Sequence, residues 1–199
     1  MKLHKFTALF LGAAMITTLM MGCGTKEAPT ETTPAAVEAA TTAEATKAVE
    51  EKKFHIDSED LDGNPVDNTV YEANNLTLVN VWATWCGPCV KEIPDLQKIH
   101  EEDNGFGVVG ILYDAFDSKS DQRSQEAMDL AREILEKTGA RYPMVIPNSD
   151  LIENNFQGAA SLFPMSFIVD CQGRIVKGPL GGAHSYEEWL QILNEAAGK

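Results

Sequence analysis

The chain has 199 residues, with 16 Lys plus Arg against 30 Asp plus Glu and a formal charge of -14 at neutral pH. That balance lacks the basic footprint with which a protein exploits phosphate charge, so no nucleic acid is expected as a partner. Four cysteines are too few to staple a chain of this length, so the fold must rest on an apolar core, and the length suits one domain with appendages.

Lys2 and Lys5 precede an uncharged, mostly apolar run over residues 6–21, and Gly22-Cys23-Gly24 follows. The run is short for a membrane crossing and leads into hydrophilic chain, so residues 1–22 read as an export signal. Leu19-Met20-Met21-Gly22-Cys23 resembles a bacterial lipobox, in which the cysteine becomes the lipidated first residue of the mature chain. Met20 and Met21 depart from the commonest residues of that motif, and the alternative is an ordinary secretory signal with an incidental cysteine. Residues 26–50 contain eight Ala, six Thr and five Glu and no aromatic residue. Such a stretch has little to bury against the entropy of ordering, so residues 23–53 read as a lipidated cysteine and a disordered tether. As a flexible chain, residues 26–50 would span roughly 25 to 30 Å. Residues 54–199 are expected to form the one folded domain.

Within that domain, Leu76-Thr77-Leu78-Val79-Asn80-Val81-Trp82 is a nearly continuous β-prone run, the pattern of a strand buried on both faces. A helix is predicted from about Cys86 to Pro88 through His100, burying Val90, Ile93 and Leu96 and kinked at Pro94, which has no backbone donor. Residues 106–113 are the next strand. Residues 120–138 are predicted as a second helix with Ala127, Leu130, Ala131, Ile134 and Leu135 as its apolar stripe. Met144-Val145-Ile146 is a short strand, and Pro147-Asn148-Ser149 opens a short helix to about Phe156. Residues 167–170 and 174–177 flank Cys171-Gln172-Gly173, a hairpin signal. A last helix begins after Ser185, whose spacing to Glu188 makes a capping box. This order implies an α/β sheet with an antiparallel edge.

Trp85-Cys86-Gly87-Pro88-Cys89 carries the chemistry. Its two cysteines lie at a strand-to-helix junction, where unpaired backbone donors and the helix dipole favour a thiolate on the first. The second lies one helical turn deeper, placed to attack a mixed disulfide. Half a zinc site is the competing reading, but a structural zinc needs two more well-spaced ligands, whereas the other cysteines stand far away at Cys23 and Cys171.

Residues 78–94, running from Leu78 through the two cysteines to Pro94, together with Phe163-Pro164-Met165-Ser166-Phe167-Ile168-Val169-Asp170, resemble the TlpA/ResA branch of thioredoxin-like oxidoreductases, and the resemblance covers nearly all of residues 54–199. It implies a thioredoxin-like α/β fold with a central mixed sheet flanked by helices. It also implies that Cys86 is the exposed nucleophile and Cys89 the resolving thiol, forming a redox-active disulfide. Pro164 would follow a cis peptide bond beside the dithiol and align substrate backbone. Trp85, Gly87, Pro88 and Phe163 complete the expected substrate contacts, while Trp82 reads as core. Asn80 stands where cytoplasmic thioredoxins carry a buried carboxylate, so that proton acceptor is missing there. Glu92 matches a carboxylate that members of this branch hold near the cysteines, and is expected to be partly buried and to manage the Cys89 proton. A solvated surface glutamate is the plain alternative.

Cys171 lies seven strand-like positions past Pro164, roughly 23 Å away, and reads as a turn residue, with an intermolecular disulfide as the sharper alternative. Asp114, Asp117 and Asp121 have irregular spacing and read as a solvated loop rather than a metal cluster. The expected function is a lipid-anchored thiol:disulfide oxidoreductase on the extracytoplasmic side of the cell membrane, mainly reducing disulfides and working as a monomer without cofactor or metal. The resemblance implies a membrane electron donor of the CcdA or DsbD type and clients such as apocytochrome c or a methionine sulfoxide reductase. A dithiol oxidase, a thiol peroxidase and a noncatalytic binding module remain as alternatives.

Overall fold

A computed structural model of the chain describes residues 52–157 and 162–199. The predicted leader, Cys23 and all of the tether before Lys52 lie outside the described residues. Among those that are described, no helix is long and apolar enough to cross a membrane.

A seven-stranded mixed sheet forms the centre. Its strands, in chain order, are Asp57–Asp60 (β1), Pro65–Asp67 (β2), Leu76–Trp82 (β3), Phe106–Leu112 (β4), Met144–Ile146 (β7), Met165–Asp170 (β8) and Ile175–Gly181 (β9). Phe116–Asp117 (β5) and Gln122–Arg123 (β6) make a separate two-stranded hairpin. The order across the large sheet is β2-β1-β7-β4-β3-β8-β9. β3, β4 and β7 are parallel, and the flanking strands on both sides run antiparallel to them. The antiparallel part therefore occurs at both edges, not one. Among the described residues, four α-helices flank the sheet: Gly87–Glu101 (α1), Gln125–Thr138 (α2), Ser149–Phe156 (α3) and Tyr186–Ala196 (α4). This is the thioredoxin-like α/β fold.

Every residue of β3 is buried, as its continuous apolar run requires. Its side chains alternate between two cores. Leu76, Leu78 and Trp82 join the core beneath α1, α2 and α4, whereas Val79 and Val81 join the core with Phe54, Tyr71, Leu151 and Phe156. The alternation assigns Asn80, the one amide in this strand, to the α1 side. Trp82 is fully buried, as expected of core.

Other local readings needed correction. The second helix starts at Gln125, with Ser124 as its N-cap; residues before it belong to the β5–β6 hairpin. Asp121 takes a positive φ of 54° between the two strands, so no glycine marks that turn. On α2, Leu130 is 43% exposed and Met128 is buried in its place. Pro94 lies inside α1, where it was expected, and the helix continues past it to Glu101; Val90 is only partly buried, unlike Ile93 and Leu96. β1 and β2 were not apparent from the sequence. β1 pairs with β7 through Glu59 opposite Ile146 and Asp60 opposite Val145. Asn148 ties this edge to α3: its Oδ1 accepts from Leu151 N at 2.8 Å, and its Nδ2 donates to Asp57 O at 2.8 Å. Asn148→Ala removes both bonds, and urea unfolding should show a loss of about 1 to 2 kcal/mol. An unchanged midpoint would mean that water replaces the cap without loss.

Candidate active site

β3 ends at Trp82 and the chain reverses over residues 83–86, where Cys86 N donates to Ala83 O at 3.0 Å. Cys86 is then the N-cap of α1. Gly87 and Pro88 open the helix, the proline occupying a first-turn position where its missing N–H goes unneeded. Cys89, one turn in, donates its backbone N–H to Cys86 Sγ at 3.2 Å. The two cysteines form a disulfide with their Cα atoms 5.3 Å apart. Cys89 is fully buried, while Cys86 retains 5% exposure. In the reduced pair, the Cys89 N–H and the helix dipole would stabilise a thiolate at Cys86, so this arrangement suits thiol–disulfide exchange with Cys86 outermost.

The loop that leads into β8 meets the dithiol turn through Phe163, which packs on Trp85. The Phe163–Pro164 peptide bond is cis, and Pro164 is buried. A second cis bond, Gly178–Pro179, lies in β9 and was not anticipated. Trp85 is 66% exposed and meets Phe163 edge-on, with ring centroids 5.5 Å apart. Tyr113 packs on the same phenylalanine at 4.9 Å. Gly87 and Pro88 are exposed beside them.

Beneath the disulfide, Glu92 follows Cys89 by three residues on the same side of α1 and is 2% exposed. Its Oε1 accepts from Asn80 Nδ2 at 2.8 Å and its Oε2 from His184 N at 3.1 Å. Asn80 Nδ2 also donates to Ser166 Oγ at 3.1 Å, from the residue opposite it on β8. Burial pushes the Glu92 carboxyl up to about 7, against the opposing pull of the His184 and Asn80 hydrogen bonds. The Trp189 indole also favours the charged form, although its Nε1 has no partner at full hydrogen-bond geometry. A lone amide in a strand buried on both faces must find a partner, and that was the available sequence signal for this pair. The Glu92 carboxyl thus enters from α1 and is bonded to the one amide of β3.

The family model for Redoxin matches residues 39–188. The chain belongs to the Redoxin family. Among curated proteins similar to this Redoxin-family chain, the thiol-disulfide oxidoreductase ResA of Bacillus anthracis is 28% identical over 123 residues, 61% of this chain and 64% of that one. The match thus spans a little under two thirds of that relative's length. The sporulation thiol-disulfide oxidoreductase A of Bacillus subtilis (strain 168) is 22% identical over 127 residues, 63% of this chain and 72% of that one. A solved thiol:disulfide interchange protein of the thioredoxin family from Chlorobium tepidum TLS superposes with a TM-score of 0.59 at 25% identity, covering 73% of this chain and 94% of that one.

Two other sequence readings meet different fates in this Redoxin-family chain. Cys171 is a free, half-buried turn residue whose Sγ accepts from Gln172 Nε2 at 3.0 Å, at the far end of β8 from Pro164. It borders a cleft of about 570 Å³ with Lys53, His55 and Asn68, away from the dithiol. Asp114 is not a solvated loop residue: both its carboxylate oxygens accept from Thr84 N, at 3.2 and 3.0 Å, and Oδ2 accepts from Thr84 Oγ1 at 2.6 Å. Asp117 remains an exposed local cap, bonded to Lys119 N and Ser120 Oγ. Asp121 accepts from Ser149 Oγ at 2.9 Å.

Proposed function

We propose that the protein is an extracytoplasmic thiol:disulfide oxidoreductase that mainly reduces substrate disulfides. The observation that carries this reading is the bonded pair of Cys86, at the N-cap of α1, and Cys89, sealed one turn deeper. In the reduced protein the Cys86 thiolate attacks one sulfur of a substrate disulfide. A Cys86–substrate bond forms, the substrate S–S bond breaks, and the departing sulfur takes a proton. Cys89 then gives its proton to Glu92 or water and attacks Cys86 Sγ, closing the Cys86–Cys89 bond and releasing the second substrate thiolate, which is protonated in turn. Two electrons pass from the pair to the client; of the two protons the client gains, one is the Cys89 proton and the other comes from the solvent, to which Cys86 gave its own on ionising. A carboxyl pushed up to about 7 is matched to accepting and returning a proton near neutral pH. Trp85, Gly87, Pro88, Phe163 and Pro164 would form the surface against which the client chain lies.

In this reading residues 1–22 are an export signal, Cys23 carries the lipid anchor, and residues up to 53 tether a monomeric domain to the outer side of the cell membrane. The oxidised pair needs an electron source, since an oxidising compartment does not restore it; a membrane donor of the CcdA or DsbD type fits that need. Apocytochrome c and methionine sulfoxide reductases are clients of suitable chemistry. The direction of electron flow is tested by equilibrating the purified protein in dithiothreitol redox buffers and counting free thiols by alkylation. A potential near the roughly -270 mV of thioredoxin is expected, and one near the roughly -120 mV of a strong dithiol oxidase would overturn the reductase assignment.

A further inference from the structure

The turn that presents Cys86 is gripped from outside its own element. Residues 83–86 close on a single backbone bond, Cys86 N to Ala83 O, and Thr84 is a corner of that turn. Asp114 takes both hydrogen-bond donors of Thr84, the backbone N–H and the hydroxyl, two residues ahead of Cys86. The neighbouring residue, Tyr113, packs on Phe163, the residue that precedes Pro164. Adjacent residues thus hold the two loops that border the disulfide. The strap they form is itself anchored. It continues directly from β4, whose seven residues are all buried, and the next residue, Ala115, is buried with its carbonyl accepting from Ser124 N, the cap of α2.

We propose that Tyr113 and Asp114 are positioning residues for the dithiol, a clamp that fixes the Cys86 turn relative to the Phe163–Pro164 loop and so sets the reactivity of Cys86. The proposal rests on the exchange reading above. Neither residue touches the sulfurs; they act through Thr84 and Phe163. Charge-assisted bonds from two donors on one residue to one carboxylate restrict Thr84 in both position and rotation. A nucleophile that must approach a disulfide sulfur in line is sensitive to displacement of this kind, for which losses of about tenfold to a hundredfold are typical.

Thr84→Val isolates the effect, because it removes the hydroxyl while leaving the backbone N–H, the side-chain shape and the Asp114 charge. Asp114→Ala alone would mix positioning with the loss of a negative charge near a developing thiolate. The measurement is the second-order rate of the reduced full chain with glutathione disulfide, well below the melting temperature, with the melting temperature recorded for each variant. Thr84→Val is expected to slow the reaction about tenfold. Thr84→Ser keeps the hydroxyl and should recover most of the rate. In an Asp114→Ala background, Thr84→Val should change the rate by less than about twofold, since its partner is gone. Asp117→Ala, in the same loop but turned to local bonds, should match the wild type. A Thr84→Val rate within about twofold of wild type, with only the melting temperature lowered, would reduce the clamp to a structural contact and overturn the proposal. So would an effect of Thr84→Val that persists undiminished without Asp114. A wild-type protein inert toward glutathione disulfide while its Cys86 and Cys89 are reduced would instead remove the exchange reading, and the clamp with it.

Discussion

Cys86→Ser should lower disulfide exchange by at least about a thousandfold, whereas Cys89→Ser should keep the first step and stall at the second. The difference follows from burial: Cys86 retains some exposure and Cys89 has none, so only Cys86 can meet a disulfide arriving from solvent. With Cys86 as serine, the remaining thiol is enclosed by the core that also holds Ile93 and Trp189. With Cys89 as serine, the thiolate at the N-cap of α1 still attacks, but nothing inside the protein can release the product. Incubation of each reduced variant with glutathione disulfide, followed by intact-mass measurement, separates the cases. Scored against the label that the free Cys171 takes in both variants, Cys89→Ser should gain one further glutathionyl group at Cys86 and hold it, and Cys86→Ser should gain no further group at the same times. Equal labelling of the two variants would reverse or dissolve the assignment of nucleophile and resolving thiol.

Glu92→Gln should stabilise the protein above neutral pH by about 3 kcal/mol relative to wild type, with the advantage vanishing in acid. The buried carboxyl titrates at about 7 when folded, against 4.5 when free. Because the folded value is raised, the native state holds a proton between these values that the unfolded chain has released. Unfolding then sheds a proton, so stability falls as pH rises from about 4.5 and levels off above about 7. A gap of roughly two and a half units at about 1.4 kcal/mol each gives the stated size. Glutamine has no such titration, and the site can accept it: the Asn80 amide can turn its oxygen toward the new amide N–H while the glutamine oxygen still accepts from His184 N. Urea unfolding of both oxidised proteins at pH 5 and pH 8 tests this, since every other titrating group is common to the pair. Parallel stability profiles would show that Glu92 titrates in the folded protein as it does in solution.

What could be read from the sequence was local and strongly patterned. The buried strand β3 announces itself as an apolar run, Pro88 marks the opening of α1, and Ser185 with Glu188 marks the opening of α4. The two cysteines sit at the first of these helix starts, so the centre of the site was legible with the fold. What escaped depends on partners distant in the chain. β1 is Asp-Ser-Glu-Asp, a poor strand by propensity, and exists because β7 and β2 offer it hydrogen bonds. The β5–β6 hairpin turns through a non-glycine residue at positive φ, so its sequence passes for the first turns of a helix. Asp114 looks like one more loop acid until Thr84, thirty residues earlier, is seen bonded to it. Glu92 lies between the two groups: helix spacing places it near Cys89, but its burial depends on the loop ahead of α4 supplying the His184 N–H.

The complete enclosure of Cys89 has a consequence for how the protein trades with its surroundings. If clients take electrons through Cys86, the donor that restores the pair must open the disulfide at Cys86 as well, because the other sulfur is out of reach. Client and donor then need the same patch around Trp85 and Phe163, and neither can be present while the other is engaged. On the proposed function the protein would be a shuttle with a single berth, carrying one pair of electrons per visit.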